Sequence, residues 1–129
     1  MDLRNNNLHG TIPNQLSRVN QMEKLYLDFN EITGSIPPEL GKLTSLKILS
    51  LKFNKLTGTI PGSLGHCSKL TEINLYNNLL QGSIPTEIFR SKGITELDFT
   101  ENNLTGTIPS HVVQLKNLKQ SKFSPNAHI

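Results

Sequence analysis

Glu72 and Glu96 occupy the same place in successive turns of a repeating sequence, with Asp98 and Glu101 just behind them. Two carboxylates held about 5 Å apart are the working groups of a retaining glycosidase. That chemistry also needs a cleft to raise one pKa and a pocket for the sugar. A pair on an open surface has neither, so the expectation is a solvated acidic patch facing a basic ligand. His66-Cys67 has the residue types of a thiol nucleophile and its base. Adjacent residues in a helical turn point different ways, however, and Cys67 occupies the column that Leu43 fills one unit earlier, which places the thiol in the core. His9, His66, His111 and His128 lack metal-ligand spacing. No zinc and no other cofactor is expected. Asn103-Leu104-Thr105 is the one N-x-Ser/Thr acceptor in the chain, and its place in a surface turn makes Asn103 a candidate glycosylation site.

The elements that must position these groups come as a repeat. Ile-Pro recurs at Ile12-Pro13, Ile36-Pro37, Ile60-Pro61, Ile84-Pro85 and Ile108-Pro109, with one constant step between copies. Asparagine keeps the same step at Asn6, Asn30, Asn54, Asn78, Asn102 and Asn126, and glycine at Gly10, Gly34, Gly58, Gly82 and Gly106. The unit Leu46–Pro61 follows the pattern L-x-x-L-x-L-x-x-N-x-L. Leu49 and Leu51 alternate with Ser50 and Lys52, which predicts a short strand with apolar groups inward and polar groups outward. Beyond it the chain must bend with its backbone amides and carbonyls away from water. Asn54 can satisfy them, because a carboxamide both donates and accepts, and stacked copies would form a ladder. After Pro61 a turn or two of helix would face the core with Leu64, Cys67 and Leu70. No single unit can bury its apolar face alone, so the units must stack, with parallel strands about 4.8 Å apart.

Outward residues then align in columns of one residue per unit. One holds Asp2, Tyr26, Ser50, Asn74, Asp98 and Lys122; the next holds Arg4, Asp28, Lys52, Tyr76, Thr100 and Ser124. A third holds Asn5, Phe29, Phe53, Asn77, Glu101 and Pro125, which puts Phe29 beside Phe53 with Tyr26 and Tyr76 near them. Exposed aromatics of this kind anchor partners; the competing expectation is that they only cover the bend. Lys24, Lys47 and Lys52 oppose the acidic end at Glu72, Glu96, Asp98 and Glu101, so the face should be polarised along its length. Hydroxyl columns run through Thr11, Ser35, Thr59, Ser83 and Thr107, and through Thr33, Thr57 and Thr105, with His9 and Gln81 as interruptions.

The segment Gly34-Ser35-Ile36-Pro37-Pro38-Glu39-Leu40-Gly41 carries the signature G-x-I-P-x-x-L-G. It resembles the plant-specific class of leucine-rich repeats found in the ectodomains of plant receptor kinases and receptor-like proteins, over about residues 1 to 120. The resemblance implies an α/β solenoid, a leucine-rich repeat right-handed superhelix with a parallel concave β-sheet and short helical or 3-10 turns on the convex side. It further implies a second small sheet built from the Thr-Gly-Thr-Ile-Pro segments. It points to an extracellular or cell-surface recognition module for a peptide or protein ligand, or for a co-receptor. Some plant members of this class resemble the chain and bind ice through regular threonine arrays. The chain departs from the class in lacking paired-cysteine caps, and no signal peptide is visible. The organisation expected is one leucine-rich repeat domain over residues 1–129, of about five 24-residue repeats, as a fragment without either cap that is marginally stable or self-associating in isolation.

Bulk properties narrow the function. The net charge of +3 comes from scattered residues and there is no tryptophan, so a nucleic-acid partner is not expected. No apolar run is long enough to span a bilayer, which removes membrane contact by this segment. The reading is a non-enzymatic module that recognises a peptide or protein. Ice binding, inhibition of a cell-wall-degrading enzyme and a regular scaffold without a ligand are the alternatives.

Overall fold

The computed structural model describes residues 1–128. Each coil begins with a three-residue strand: Lys24–Tyr26, Ile48–Ser50, Glu72–Asn74, Glu96–Asp98 and Gln120–Lys122 pair in parallel to form one five-stranded sheet. Asp2 adds a bridge to Tyr26 ahead of it. Partners throughout this sheet are equivalent positions of successive repeats, as in Leu25↔Leu49, Leu49↔Ile73 and Ile73↔Leu97. Those four side chains point inward and are buried, together with Leu27, Leu51, Leu75 and Phe99 two positions on. The period of two in each strand is therefore set by burial, as a sheet with one face in the core requires. This is the leucine-rich repeat solenoid, with the main sheet on the concave side.

Behind the sheet each coil closes through a 3-10 turn, at Asn14–Arg18, Pro38–Lys42, Gly62–His66, Thr86–Arg90 and Ser110–Gln114. Proline stands just before every one of these turns, at Pro13, Pro37, Pro61, Pro85 and Pro109, in extended conformation. The turns pack so closely that a Cβ on Gly65 would lie 2.1 Å from the carbonyl oxygen of Glu87, and one on Gly41 would lie 2.3 Å from that of Ser63. Leu64, Cys67 and Leu70 all face the core. The Cys67 thiol donates to the Leu40 carbonyl at 3.4 Å, and burial raises its pKa to about 11.

A second, lateral sheet runs beside the main one in pieces. His9–Thr11 pairs with Glu31–Thr33, Ser35 bridges to Thr57, and Gln81–Gly82, Asn102–Thr105 and Asn126–His128 form a three-stranded unit. Here most partners fall two positions short of equivalence. Thr11 pairs with Thr33 rather than Ser35, and Gln81 with Asn103 rather than Thr105. Between the two sheets sits the asparagine ladder. Asn54, 8 % exposed, donates to the carbonyls of Leu27, Leu51 and Lys52 at 2.9, 3.1 and 3.4 Å and accepts from the Ile32 amide at 3.0 Å. Asn30, Asn78 and Asn102 repeat this pattern. Asn6, in the exposed first coil, donates to Leu3 and Arg4. Among the described residues no helix is long and apolar enough to cross a membrane.

Candidate functional site

The main sheet presents two chemically different ends. Toward the N-terminal coils the aromatic residues form a step. Phe29 and Phe53 stack with ring centroids 4.5 Å apart and planes at 17°. Tyr76 meets Phe53 edge-on at 4.9 Å. Two cations lie over this group: Lys52 Nζ is 5.6 Å from the Phe29 centroid, and the Arg4 guanidinium is 4.6 Å from that of Tyr26. Arg4 is aimed by its ion pair with Asp2. Phe29 remains 43 % exposed, so the step faces solvent rather than the core.

Its backbone is unusual. Asn5, Phe29, Phe53, Asn77 and Glu101 all take left-handed φ values of 54–56°. Asparagine tolerates this region because its short side chain can bond locally, whereas a bulky residue there is an outlier. Two coils use asparagine at this position, two use phenylalanine and one uses glutamate. Sequence spacing alone does not reveal the left-handed turn, although asparagine at two of the positions is a signal for it.

Asp28 departs from expectation. Its column is outward, yet its side chain is 2 % exposed, so it is not available as a contact on the surface. Its carboxylate accepts the Ser50 hydroxyl at 2.6 Å and the Lys52 amide at 3.2 Å. The cause lies in the neighbouring coils. Asp2, Asn74 and Asp98 each accept the backbone N–H two positions on, at 3.1–3.2 Å. In the coil just before Asn74, Ser50 stands at that position and the Lys52 N–H turns to Asp28 of the preceding coil instead.

Toward the C-terminal coils the sheet is acidic. Glu72 pairs in register with Glu96, and Asn74 with Asp98. These residues line a small depression that Gln120 and Lys122 complete. An open sheet would not perturb a carboxyl; the structure corrects this for Glu72. Partial burial raises its pKa, Glu96 and Asp28 raise it further, and Lys52 counters them. Asp98 accepts the Thr100 hydroxyl at 2.6 Å and lies 3.7 Å from Lys122 Nζ. At the opposite end Lys24 is exposed, while Lys47 is occupied by Glu23 at 2.9 Å. Lys24 and Lys52 therefore carry the basic character more than Lys47 does.

The hydroxyl columns do not make a continuous array. The shortened register sets Thr11 against Thr33 and Ser35 against Thr57, a stagger that carries each column sideways from coil to coil. Thr33 donates its hydroxyl to the Gly10 carbonyl at 3.1 Å. Thr11 lies where a Cβ on Gly34 would come within 2.7 Å of its methyl, and Thr59 stands similarly close to Gly82. Each of these glycines thus has both a positive φ and a threonine filling the space beside it. Thr11 and Thr59 thus contribute to coil stacking, although Thr11, Thr33, Thr57, Thr59 and Thr107 all stay exposed and Thr105 half-buried. Asn103 is exposed on the same lateral sheet.

Comparison with known proteins places this geometry. Leucine rich repeat family models match residues 33–80, and residues 1–19, 21–43 and 93–115. No curated protein matches the chain. Among solved structures the plant peptide hormone receptor RGFR1, in complex with RGF2, superposes with a TM-score of 0.91 at 35% identity, covering 92% of this chain and 19% of that one. A chain of the BIR3–SERK2 complex from Arabidopsis thaliana gives 0.84 at 31% identity, covering 99% of this chain and 71% of that one. A plant ice-binding protein gives 0.85 at 26% identity, covering 98% and 48%. The chain therefore spans about a fifth of the RGFR1 chain and most of the shorter one in the BIR3–SERK2 complex. By its repeats, its paired sheets and these matches, the chain belongs to the leucine-rich repeat family, with the repeat type of plant receptor ectodomains.

Proposed function

We propose that this chain recognises an extracellular peptide or protein through the concave sheet, with Phe29 and Phe53 as the anchor and Tyr26, Lys52 and Tyr76 around them. Asn74, Glu72, Glu96 and Asp98 would meet the polar part of the same ligand. One observation supports this above the rest: two phenylalanines are held at left-handed φ while exposed or half-exposed. A residue with a Cβ in this region costs about 1–2 kcal/mol, and an aromatic stack returns about 0.5–1.5 kcal/mol. The pair therefore gives the fold little or no net stability, and asparagine would serve the turn as well. Residues retained at a local cost are where function is sought. RGFR1 is a peptide hormone receptor in complex with RGF2, and BIR3 is in complex with SERK2, which supports this partner class by analogy.

The test is a peptide-display selection on the wild-type chain, followed by the double variant Phe29→Asn, Phe53→Asn. Selected peptides should bind the variant at least ~30-fold more weakly, because buried aromatic anchors contribute about 2 kcal/mol or more. The melting temperature should stay level or rise. If the variant binds as well as the parent, or melts several degrees lower, the aromatics only cover the bend. Likeness to an ice-binding protein keeps a second reading open; the stagger of the hydroxyls argues against it, and thermal hysteresis measurements decide it.

A further inference from the structure

We infer that Asn103 carries an N-linked glycan whose first sugar seats against Leu79. The inference rests on the extracellular location proposed above and concerns a different face. Along Asn102–Thr105 the chain alternates, with Asn102 and Leu104 buried and Asn103 exposed. The Asn102 carboxamide is fully occupied by Leu75, Phe99, Thr100 and Leu80. That of Asn103 makes no hydrogen bond among the described residues. Thr105, two positions on, shares its face of the strand, which sets the acceptor hydroxyl beside the amide.

The surroundings add what the sequence motif cannot. Leu79, one coil earlier in the same column, is 50 % exposed. Upstream this column holds Glu31 and Lys55, which pair at 2.9 Å; at Leu79 it turns apolar and stays half-exposed. Leu79 and Asn103 line one open depression of about 500 Å³ together with Asn77, Glu101 and Pro125. A pyranose ring has an apolar C–H face and a polar rim, and this depression offers both Leu79 and Pro125 to the first, and Asn77 and Glu101 to the second. In the transfer, Asn103 Nδ2 attacks the anomeric carbon of a lipid-pyrophosphate oligosaccharide. The C–N bond forms as the C–O bond to pyrophosphate breaks; the lipid pyrophosphate leaves and the amide loses one proton. A sugar in this depression leaves Phe29 and Phe53, which do not line it, open.

Two measurements test this. Tryptic peptide 93–116 from protein isolated from its source tissue, deglycosylated enzymatically in heavy-oxygen water, should contain labelled Asp at position 103. Recovery of only the unmodified peptide overturns the glycan, whatever the outcome of the peptide selection. For the seat, the chain is directed into a eukaryotic secretory pathway and its melting temperature compared before and after deglycosylation. The parent should drop by a few degrees; Asn103→Gln should lack the glycan, and Leu79→Ser should keep it but show no drop. An equal drop in Leu79→Ser overturns the contact.

Discussion

The main and lateral sheets are built from the same repeating units and behave differently. In the main sheet the pairing offset equals the repeat, so every outward column runs straight from coil to coil, and the residues in it change freely: Lys24, Ile48, Glu72, Glu96 and Gln120 follow one another. In the lateral sheet most pairs fall two positions short of the repeat, the strands break into separate pieces, and glycine and a small hydroxyl residue recur almost unchanged. The difference teaches how to divide such a surface within one chain. Columns that repeat are those the stacking needs; columns that vary face solvent and are free to be chosen for a ligand.

Breaking the shared frame should have the largest effect. Asn54→Ala removes a carboxamide that serves three carbonyls and one amide. Each buried group left unpaired costs about 1–3 kcal/mol. The variant should lose much of its cooperative melt by circular dichroism, and a loss under about 1 kcal/mol would show that water replaces the ladder. Next comes Gly65→Ala, whose new methyl has no room beside Glu87. Overpacking of this kind costs about 1–3 kcal/mol, and urea midpoints measure it; no change would mean the 3-10 turns are not the rigid spine they form here.

Smaller effects separate the two faces. Glu72 has a raised pKa in the folded state, so its contribution to stability is full at pH below the unfolded value and is lost as pH rises through the folded one. Glu72→Gln should therefore stabilise the chain at neutral pH by a few tenths of a kcal/mol, the lower part of the range of about 0.2–1 kcal/mol for facing like charges, since the group is half-exposed and screened. The gain should vanish in melts run below pH 4.5; a gain that persists in acid would point to packing instead. The smallest change belongs to Lys55→Ala, which breaks the exposed pair with Glu31 on the lateral side. It should leave the melt within error, and a clear loss would show the lateral column to be more than a solvated edge.

Much of this architecture was legible in the sequence because burial and backbone satisfaction both follow the repeat. Leu49, Ile73 and Leu97 recur since each must enter the same interior, and Asn30, Asn54 and Asn78 recur since each coil presents the same stranded groups. What was hidden depends on neighbouring coils rather than on position within one. The lateral stagger is fixed by where the chain leaves the main sheet, which column spacing does not report. The burial of Asp28 follows from a serine at position 50 in the next coil, where three other coils carry Asp2, Asn74 or Asp98, whose side chain reaches the equivalent N–H. The raised pKa of Glu72 likewise comes from partial burial that a strand pattern leaves unspecified.

Cys67 gives the stack an internal clock. With its pKa at about 11, roughly one thiol in ten thousand is ionised at pH 7, and the thiolate is the form that reacts. Its side chain is sealed between the turns of neighbouring coils. Alkylation of Cys67 therefore waits for those coils to part, and its rate, followed against reagent concentration, counts how often the middle of the solenoid comes open.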